Sequence, residues 1–323
     1  MTDDINLENK SYEQSSVRGV DETIHKSVLL NETIEGLQIR PKSIFLDCTL
    51  GGAGHSLAVC QRLSGDVRII ALDQDRSAIR RAQVLLQKNE CKVTFLNSNF
   101  GDVKDEVTKT GVGKIDSVLF DLGLSSDQLD FSNRGFSFKR SEPLIMTLKD
   151  SHDSDKNDFT AFDIVNFWEA ENIELILKVY GEERFARRIA LAIVADRGKK
   201  QITNTLELAD IVRNAYPKIF RLKSRIDPAT KTFQAIRMAV NDEITVLKKG
   251  LSGAYELLNI GGRMAVIAFH SGEDRVVKNF MREKVSNKEG VLINKKPIVP
   301  SELEIDDNPR SRSAKLRIIE KIK

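Results

Sequence analysis

Short apolar runs punctuate the first 121 residues: SIFLDC, VRIIALD, KVTFLN and IDSVLFD, each rich in β-branched side chains and of strand length. Between them, SLAVCQRL and SAIRRAQVLLQK set apolar residues three to four positions apart, the spacing of an amphipathic helix. Strand and helix in alternation predict right-handed crossovers onto a parallel sheet, an α/β fold. The alternation stops after Asp121. Residues 122–158 read as loop, with glycines and then the charged stretch DSHDSDKND. Helical spacing returns over about 160–179, 182–198 and 204–216. A longer helix is predicted from near Pro228, a residue suited to a first turn, with Phe233, Ile236, Val240, Ile244 and Leu247 along one face. GGRMAVIAFH resumes the strand pattern and LRIIEK closes the chain. The expectation is therefore one α/β domain built from residues 25–138 and 236–323, interrupted by a helical substrate-binding insert over 139–235. Residues 1–24, polar and aperiodic, are expected to form a disordered acidic arm.

Composition narrows the class. A chain of 323 residues holds a full α/β core and a second unit. No apolar run approaches the ~18 residues of a membrane span, and the acidic start MTDDINLENKSYE is not a targeting segment. The three cysteines, Cys48, Cys60 and Cys91, form no CxxC pair and lie near no histidine tract. That spacing argues against structural zinc and against a disulfide framework, and fits a cytoplasmic protein.

Charge is distributed unevenly. Between Arg184 and Arg237 there are 13 basic and 4 acidic residues, a local +9 in a chain of net +3, which leaves −6 elsewhere. Solvated helix faces are the usual home of such runs. An excess sustained over more than fifty residues, with Lys218, Arg221, Lys223 and Arg225 on an expected loop, instead resembles a surface that tracks phosphates.

The chemistry gathers at strand ends. FLDCTLGGAGHS turns an apolar strand into a helix through a glycine-rich bend, which brings backbone amides close to a ligand. The spacing misses GxGxxG. Asp47 at the strand end would repel a pyrophosphate but suits an ammonium or sulfonium, and Asp73 in ALDQD lies where a carboxylate accepts ribose hydroxyls. Together they favour S-adenosylmethionine over a nicotinamide cofactor, the rival oxidoreductase reading. FDLGLSS ends the fourth strand with Asp121 beside Ser125 and Ser126. An acceptor there can orient an exocyclic amine whose lone pair is delocalised into a ring. His55 sits inside the cofactor turn, which favours a capping or hydrogen-bonding role over that of a base. His270, in FHSGED, is either a wall of the site or a structural histidine.

Nine segments in order then bear a resemblance: HKSVLLNETIEGL, DCTLGGAGHS, ALDQD, DLGLSSDQLD, RGFSF, YGEERFARRIA, TFQAIRMAVNDE, GGRMAVIAFHSGEDR and NPRSRSAKLR. From His25 onward the chain resembles the bacterial small-subunit ribosomal RNA cytosine-N4 methyltransferases of the methyltransferase H type. The resemblance implies a seven-strand, mostly parallel Rossmann-like methyltransferase sheet with a helical insert after the fourth strand. It implies S-adenosylmethionine held by Ala53, Gly54, His55, Asp73, Phe100, Asp121 and Gln128. The implied substrate is a cytidine of the decoding region, in small-subunit ribosomal RNA or a partly assembled small subunit, methylated on its exocyclic nitrogen with no metal. Asp121, helped by Ser125 and Ser126, is the expected catalytic group. Arg134 and Phe136 of RGFSF, with Arg184, Arg188, Lys223, Arg225 and His270, are the expected substrate contacts. A homodimer is compatible with all this but not dictated by it.

Three positions depart from the family pattern. Ala53 replaces a glycine, which leaves the turn's amides serviceable provided φ is negative there. Ile145 and Thr147 stand where relatives carry an aspartate and, nearby, an arginine. Gly272 replaces a leucine. They leave open an alternative, a weakly active or non-catalytic RNA-binding assembly factor on the same fold.

Overall fold

The computed structural model describes residues 26–125, 128–129, 132–149, 159–223 and 226–323. The expected acidic arm, Ser126 and Arg225 lie outside the described residues. Seven strands form one sheet: β1 Ile44–Asp47, β2 Arg68–Asp73, β3 Lys92–Asn97, β4 Ile115–Asp121, β5 Leu258–Ala268, β6 Gly290–Leu292 and β7 Lys315–Lys321, in the order β3-β2-β1-β4-β5-β7-β6. The first five pair in parallel, and β7 runs antiparallel to both β5 and β6. This is the mostly parallel seven-strand α/β sheet expected. The strand order reverses between β1 and β4, the place where open α/β sheets bind ligands.

Side chains alternate across the sheet with period two. Phe45, Ile69, Ala71, Leu119 and Ile267 face α1 (Leu30–Leu37), α2 (Gly54–Arg62) and α3 (Arg76–Lys88). Leu46, Ile70, Leu72, Val118, Phe120 and Val266 face α4 (Val103–Lys109) and two later helices. Both faces are thus covered, as a parallel sheet requires.

The segment between β4 and β5 packs around a core of its own. Its helices are α5 (Ala161–Phe167), α6 (Ala170–Val179), α7 (Ala186–Arg197), α8 (Thr205–Ala215), α9 (Lys218–Lys223) and α10 (Ala229–Val240). The chain then enters α11 (Glu243–Leu257), and after β5 follow α12 (Ser271–Ser286) and α13 (Glu302–Asp307). Leu144 and Met146 plug into the insert core on either side of the departing Ile145, which is itself half-buried.

Four expectations need correction. The helix expected over 160–179 is two, because Trp168 leaves helical geometry at φ −76°, ψ 148° and stacks on Phe159. The long helix from Pro228 is broken at Asp242, whose φ of 45° is left-handed. Lys218, Arg221 and Lys223 lie on α9 rather than a loop. Cys60 and Cys91 are joined in a disulfide, where unpaired thiols were expected. The 31-residue separation hides the fact that the end of α2 and the start of β3 meet, with Cα atoms 5.8 Å apart. Cys48 is the free cysteine, and it is buried.

Packing between α11 and the turn at Phe100–Asp102 leaves no room for a side chain at Gly250. A Cβ there would stand 2.7 Å from the Phe100 ring and 2.9 Å from its carbonyl oxygen. Gly250→Ala is expected to cost about 1–3 kcal/mol through overpacking, read from the denaturant midpoint, and to displace Phe100.

Candidate active site

The cavity at the β1/β4 switch point has a volume of about 610 Å³ and is walled by three stretches of chain. One is the β1–α2 turn, Cys48–Gly52 with Gly54 and His55; another is Asp121–Ser125 with Gln128; the third comprises Arg237, Glu243, Phe269 and Glu273. Lys26, Ser27, Val28, Asp73, Gln74 and Phe100 also line it.

Hydrogen bonds hold these walls in register. The Cys48 amide donates to the Leu119 carbonyl (2.9 Å), and the Asp121 amide donates to Thr49 Oγ1 (2.6 Å). Gly51 N–H and Asp75 N–H donate to the two oxygens of Asp73 at 2.9 and 2.8 Å. Gly54 opens α2 pressed against the HKSV segment, and a Cβ on it would fall 2.0 Å from Ser27 Oγ. Ala53 has φ of +61°, so the condition of a negative φ is not met. Its methyl is fully buried below the turn, and the left-handed conformation costs an alanine roughly 1–2 kcal/mol.

Carboxylates dominate the electrostatics. Asp47 is buried and pushed up to about 6 by that burial, against hydrogen bonds donated by Ser56 Oγ (2.7 Å) and Thr49 N (3.2 Å). Burial also pushes Asp73 to about 6. Asp121 rises further, to about 8, from burial first and then from the charges of Asp47 and Glu273. Its Oδ1 is buried with no hydrogen-bond partner, while Oδ2 lies 3.5 Å from His55 Nδ1. Glu273 is also buried, but contact with His270, the charge of Arg237 and the Phe269 amide (2.9 Å) outweigh burial and hold it below the usual range. The cations lining the cavity are partly committed: Arg237 pairs with Glu243 (2.7 and 2.8 Å), and Lys26 with Asp307 (2.5 Å). Such a cavity favours a ligand that brings positive charge and hydrogen-bond donors.

Most of the cofactor residues expected from sequence converge here: Gly54, His55, Asp73, Phe100, Asp121 and Gln128 all line the cavity, whereas Ala53 lies beneath it. His55 sets Nε2 3.2 Å from the Val28 carbonyl, bridging α2 to the HKSV segment. Ser125 and Gln128 bond one another, amide to side-chain oxygen in both directions, at 3.0 and 3.2 Å.

The expected substrate contacts divide. His270 caps α12, accepting from the Glu273 amide at 3.3 Å. A Cβ at position 272 would stand 3.1 Å from His270 Nδ1, so Gly272 gives the ring room to fold back. Arg184, Arg188 and Lys223 are exposed, and Arg184 lies 4.7 Å over the Phe220 ring. Arg134 and Phe136 are corrections: at 6% and 7% exposure they belong to the interior. The RGFSF motif reads as a basic-aromatic RNA contact only while its burial is unknown. Sequence reasoning missed Thr49, Arg237, Glu243 and Glu273. The signal for one of them was NDE, where the helix breaks at Asp242 and Glu243 comes to line the cavity.

The family model for the MraW methylase family matches residues 22–322. The chain is 45% identical over 313 residues to the ribosomal RNA small subunit methyltransferase H of Clostridioides difficile, covering 92% of this chain and 99% of that one. It is 43% identical over 313 residues to the protein of the same name from Brevibacillus brevis, covering 92% and 98%. Among solved structures, a putative rRNA methylase from Clostridium thermocellum is 13% identical at a TM-score of 0.45, covering 92% of this chain and 98% of that one.

The raised Asp121 has a sign that can be tested. An unfolded aspartate titrates near 3.9, so the buried group gives up stability as pH climbs from about 4 toward 8. Asp47 and Asp73 act in the same direction up to about 6. Asp121→Asn cannot ionise. Its ligand-free thermal midpoint is expected to exceed that of the unsubstituted protein at pH 8 and to converge with it toward pH 4.

Proposed function

From the premise that the chain belongs to the MraW methylase family, we infer that it is an S-adenosylmethionine-dependent methyltransferase acting on small-subunit ribosomal RNA, and that its target is the exocyclic N4 of a decoding-region cytidine. The observation that carries the reading is Asp121: a buried carboxylate at the switch point, with one oxygen lacking any partner. S-adenosylmethionine, when bound, supplies a methyl group already activated on a sulfonium. The site fits it, because the Asp121 and Glu273 carboxyl groups, the glycine-rich bend and the Asp73 carboxylate line one cavity.

The chain's own residues then position and desolvate. Asp73 accepts hydrogen bonds from ribose hydroxyls, its orientation set by the amides of Gly51 and Asp75. Phe100 packs edge-on against Phe120 at 5.5 Å and gives an apolar wall for an adenine. The Asp121 carboxylate accepts a hydrogen bond from the cytidine amino group, which favours the pyramidal, nucleophilic nitrogen. Thr49 fixes the carboxylate's backbone, and Ser125, locked with Gln128, shapes the rim. Holding donor and acceptor in line provides most of the acceleration. The target base must leave its stack to enter the cavity, which costs least in single-stranded or partly assembled RNA. Exposed Arg184, Arg188 and Lys223 hold flanking phosphates, and the Arg184–Phe220 pair offers a stacking face. Among the described residues no helix is long and apolar enough to cross a membrane. We assign the work to the cytoplasm, on small-subunit ribosomal RNA or a partly assembled small subunit.

The test uses labelled S-adenosylmethionine with small subunits, and separately with protein-free ribosomal RNA, from cells lacking this methylation. The unsubstituted protein is expected to transfer label to one cytidine, identified as N4-methylated by nucleoside mass spectrometry. Asp121→Asn is expected to lose roughly 10²–10⁴ in kcat while still binding S-adenosylhomocysteine in a thermal-shift assay. Wild-type turnover by that variant would remove Asp121 from the mechanism.

A further inference from the structure

Arg134 is buried between two loops and has donors committed to both. Its Nη2 donates to Asp75 Oδ2 at 2.7 Å. Its Nη1 faces the carbonyls of Thr147, Leu148 and Lys149 at 3.3, 3.1 and 2.7 Å. Asp75 belongs to the cofactor side: its amide donates to Asp73, and its own carboxylate caps α3 by accepting from Ser77 and Ala78. The three carbonyls belong to a strap, residues 134–149, that crosses to the substrate side and presents Lys139 and Leu148 to the cavity.

The strap is held at other points too. Met146 N–H donates to the Arg134 carbonyl at 2.7 Å, which closes it into a loop. Leu148 N–H donates to Asn241 Oδ1, and Asn241 Nδ2 donates to the Met146 carbonyl, both at 2.8 Å. Asn241 stands at the break before Glu243, itself a cavity residue. At the other end, Arg134 N–H donates to Ser132 Oγ, whose hydroxyl donates to the carbonyl of Gln128. A continuous hydrogen-bonded path therefore runs from Gly51 and Asp73 through Asp75 and Arg134 to the opposite wall of the cavity. Only a guanidinium, planar and forked, satisfies the carboxylate and the carbonyls at once.

We propose that Arg134 is a positioning residue that couples the two halves of the site: the ribose-binding turn and the RNA-facing strap hold their places through its side chain, so that occupancy of one half tightens binding at the other. This rests on the methyltransferase reading of the cavity. It gives the RGFSF arginine a task other than contact with RNA.

Two variants separate this role from mere support. Arg134→Gln combined with Asp75→Asn removes the ion pair without leaving a buried charge unpaired, and an asparagine still caps α3. Arg134→Lys keeps a cation beside Asp75 but lacks the second nitrogen that reaches the carbonyls. The measurement is the Kd for protein-free small-subunit ribosomal RNA with and without saturating S-adenosylhomocysteine. In the unsubstituted protein the cofactor product is expected to tighten RNA binding ~5-fold or more, and by linkage RNA tightens the product equally. In both variants the ratio is expected to fall to about one, while S-adenosylhomocysteine alone binds within about threefold of normal. A folded variant that keeps the full ratio, an unsubstituted protein that shows none, or variants that lose S-adenosylhomocysteine binding outright would each overturn the proposal. Failure of the methyltransferase reading looks different: no label moves to RNA, whatever the binding ratio.

Discussion

Negative charge buried at the ends of β1 and β4 is the constraint around which the rest of this molecule is arranged. Asp47 and Asp121 end neighbouring parallel strands, and Glu273 closes on them from the first turn of α12. Isolated carboxylates withdrawn from water prefer to be neutral. The fold answers each one differently. Asp47 is satisfied by Ser56 and Thr49, and Glu273 by His270 and the Phe269 amide. Asp121 keeps one oxygen without a partner. The residual imbalance sits on a group that lines the cavity.

Part of the backbone strain lies in the same place: four of the eleven described non-glycine residues with positive φ. Leu29, Ala53, Met146 and Asp242 all have positive φ, from 45° to 61°, and each lies in a segment that borders the cavity or supports its wall. Non-glycine residues held in that region cost about 1–3 kcal/mol apiece. Surrounding structure enforces each conformation. Leu29 and Ala53 are fully buried under the sheet's edge, Met146 plugs the insert core, and Asp242 marks the break between α10 and α11. A straight helix from Pro228 to Leu257 would be locally better. It would also carry Glu243 and Arg237 away from the angle at which they meet Glu273, and would leave the strap without Asn241.

The sheet was legible because its evidence is local. Period-two alternation in IFLD, RIIALD and IDSVLFD, and helical spacing between them, specify buried strands and crossover helices whatever lies far away. Cavity residues at strand ends, Asp73 and Asp121 above all, were legible for the same reason, since the topology fixes where strand ends point. What was not legible depends on contacts between distant segments. Arg134 looks like any arginine beside aromatic residues until Asp75, 59 positions earlier, is seen against its guanidinium. Cys60 and Cys91 meet only because β1, β2 and β3 are neighbours. The left-handed φ of Ala53 follows from the need to reach both Leu50 and the first turn of α2, a demand that propensity alone assigns to glycine.

Electrostatics also orders the chemistry. Burial, and after it the charges of Asp47 and Glu273, favour the protonated form of Asp121. A protonated carboxyl is a poor acceptor for an amine's N–H. Positive charge entering the cavity favours the ionised form, because attraction between opposite charges is strongest where water is scarce. On the proposed reading, Asp121 is therefore a competent acceptor for the cytidine amine when a cationic methyl donor shares the cavity, and less so when the neutral product of transfer does. A strong base is unnecessary in that arrangement. On the proposed reading, methyl transfer moves the positive charge from sulfur to the nitrogen beside Asp121, and the proton that leaves the alkylated nitrogen passes to that carboxylate, whose hold on a proton burial has already raised.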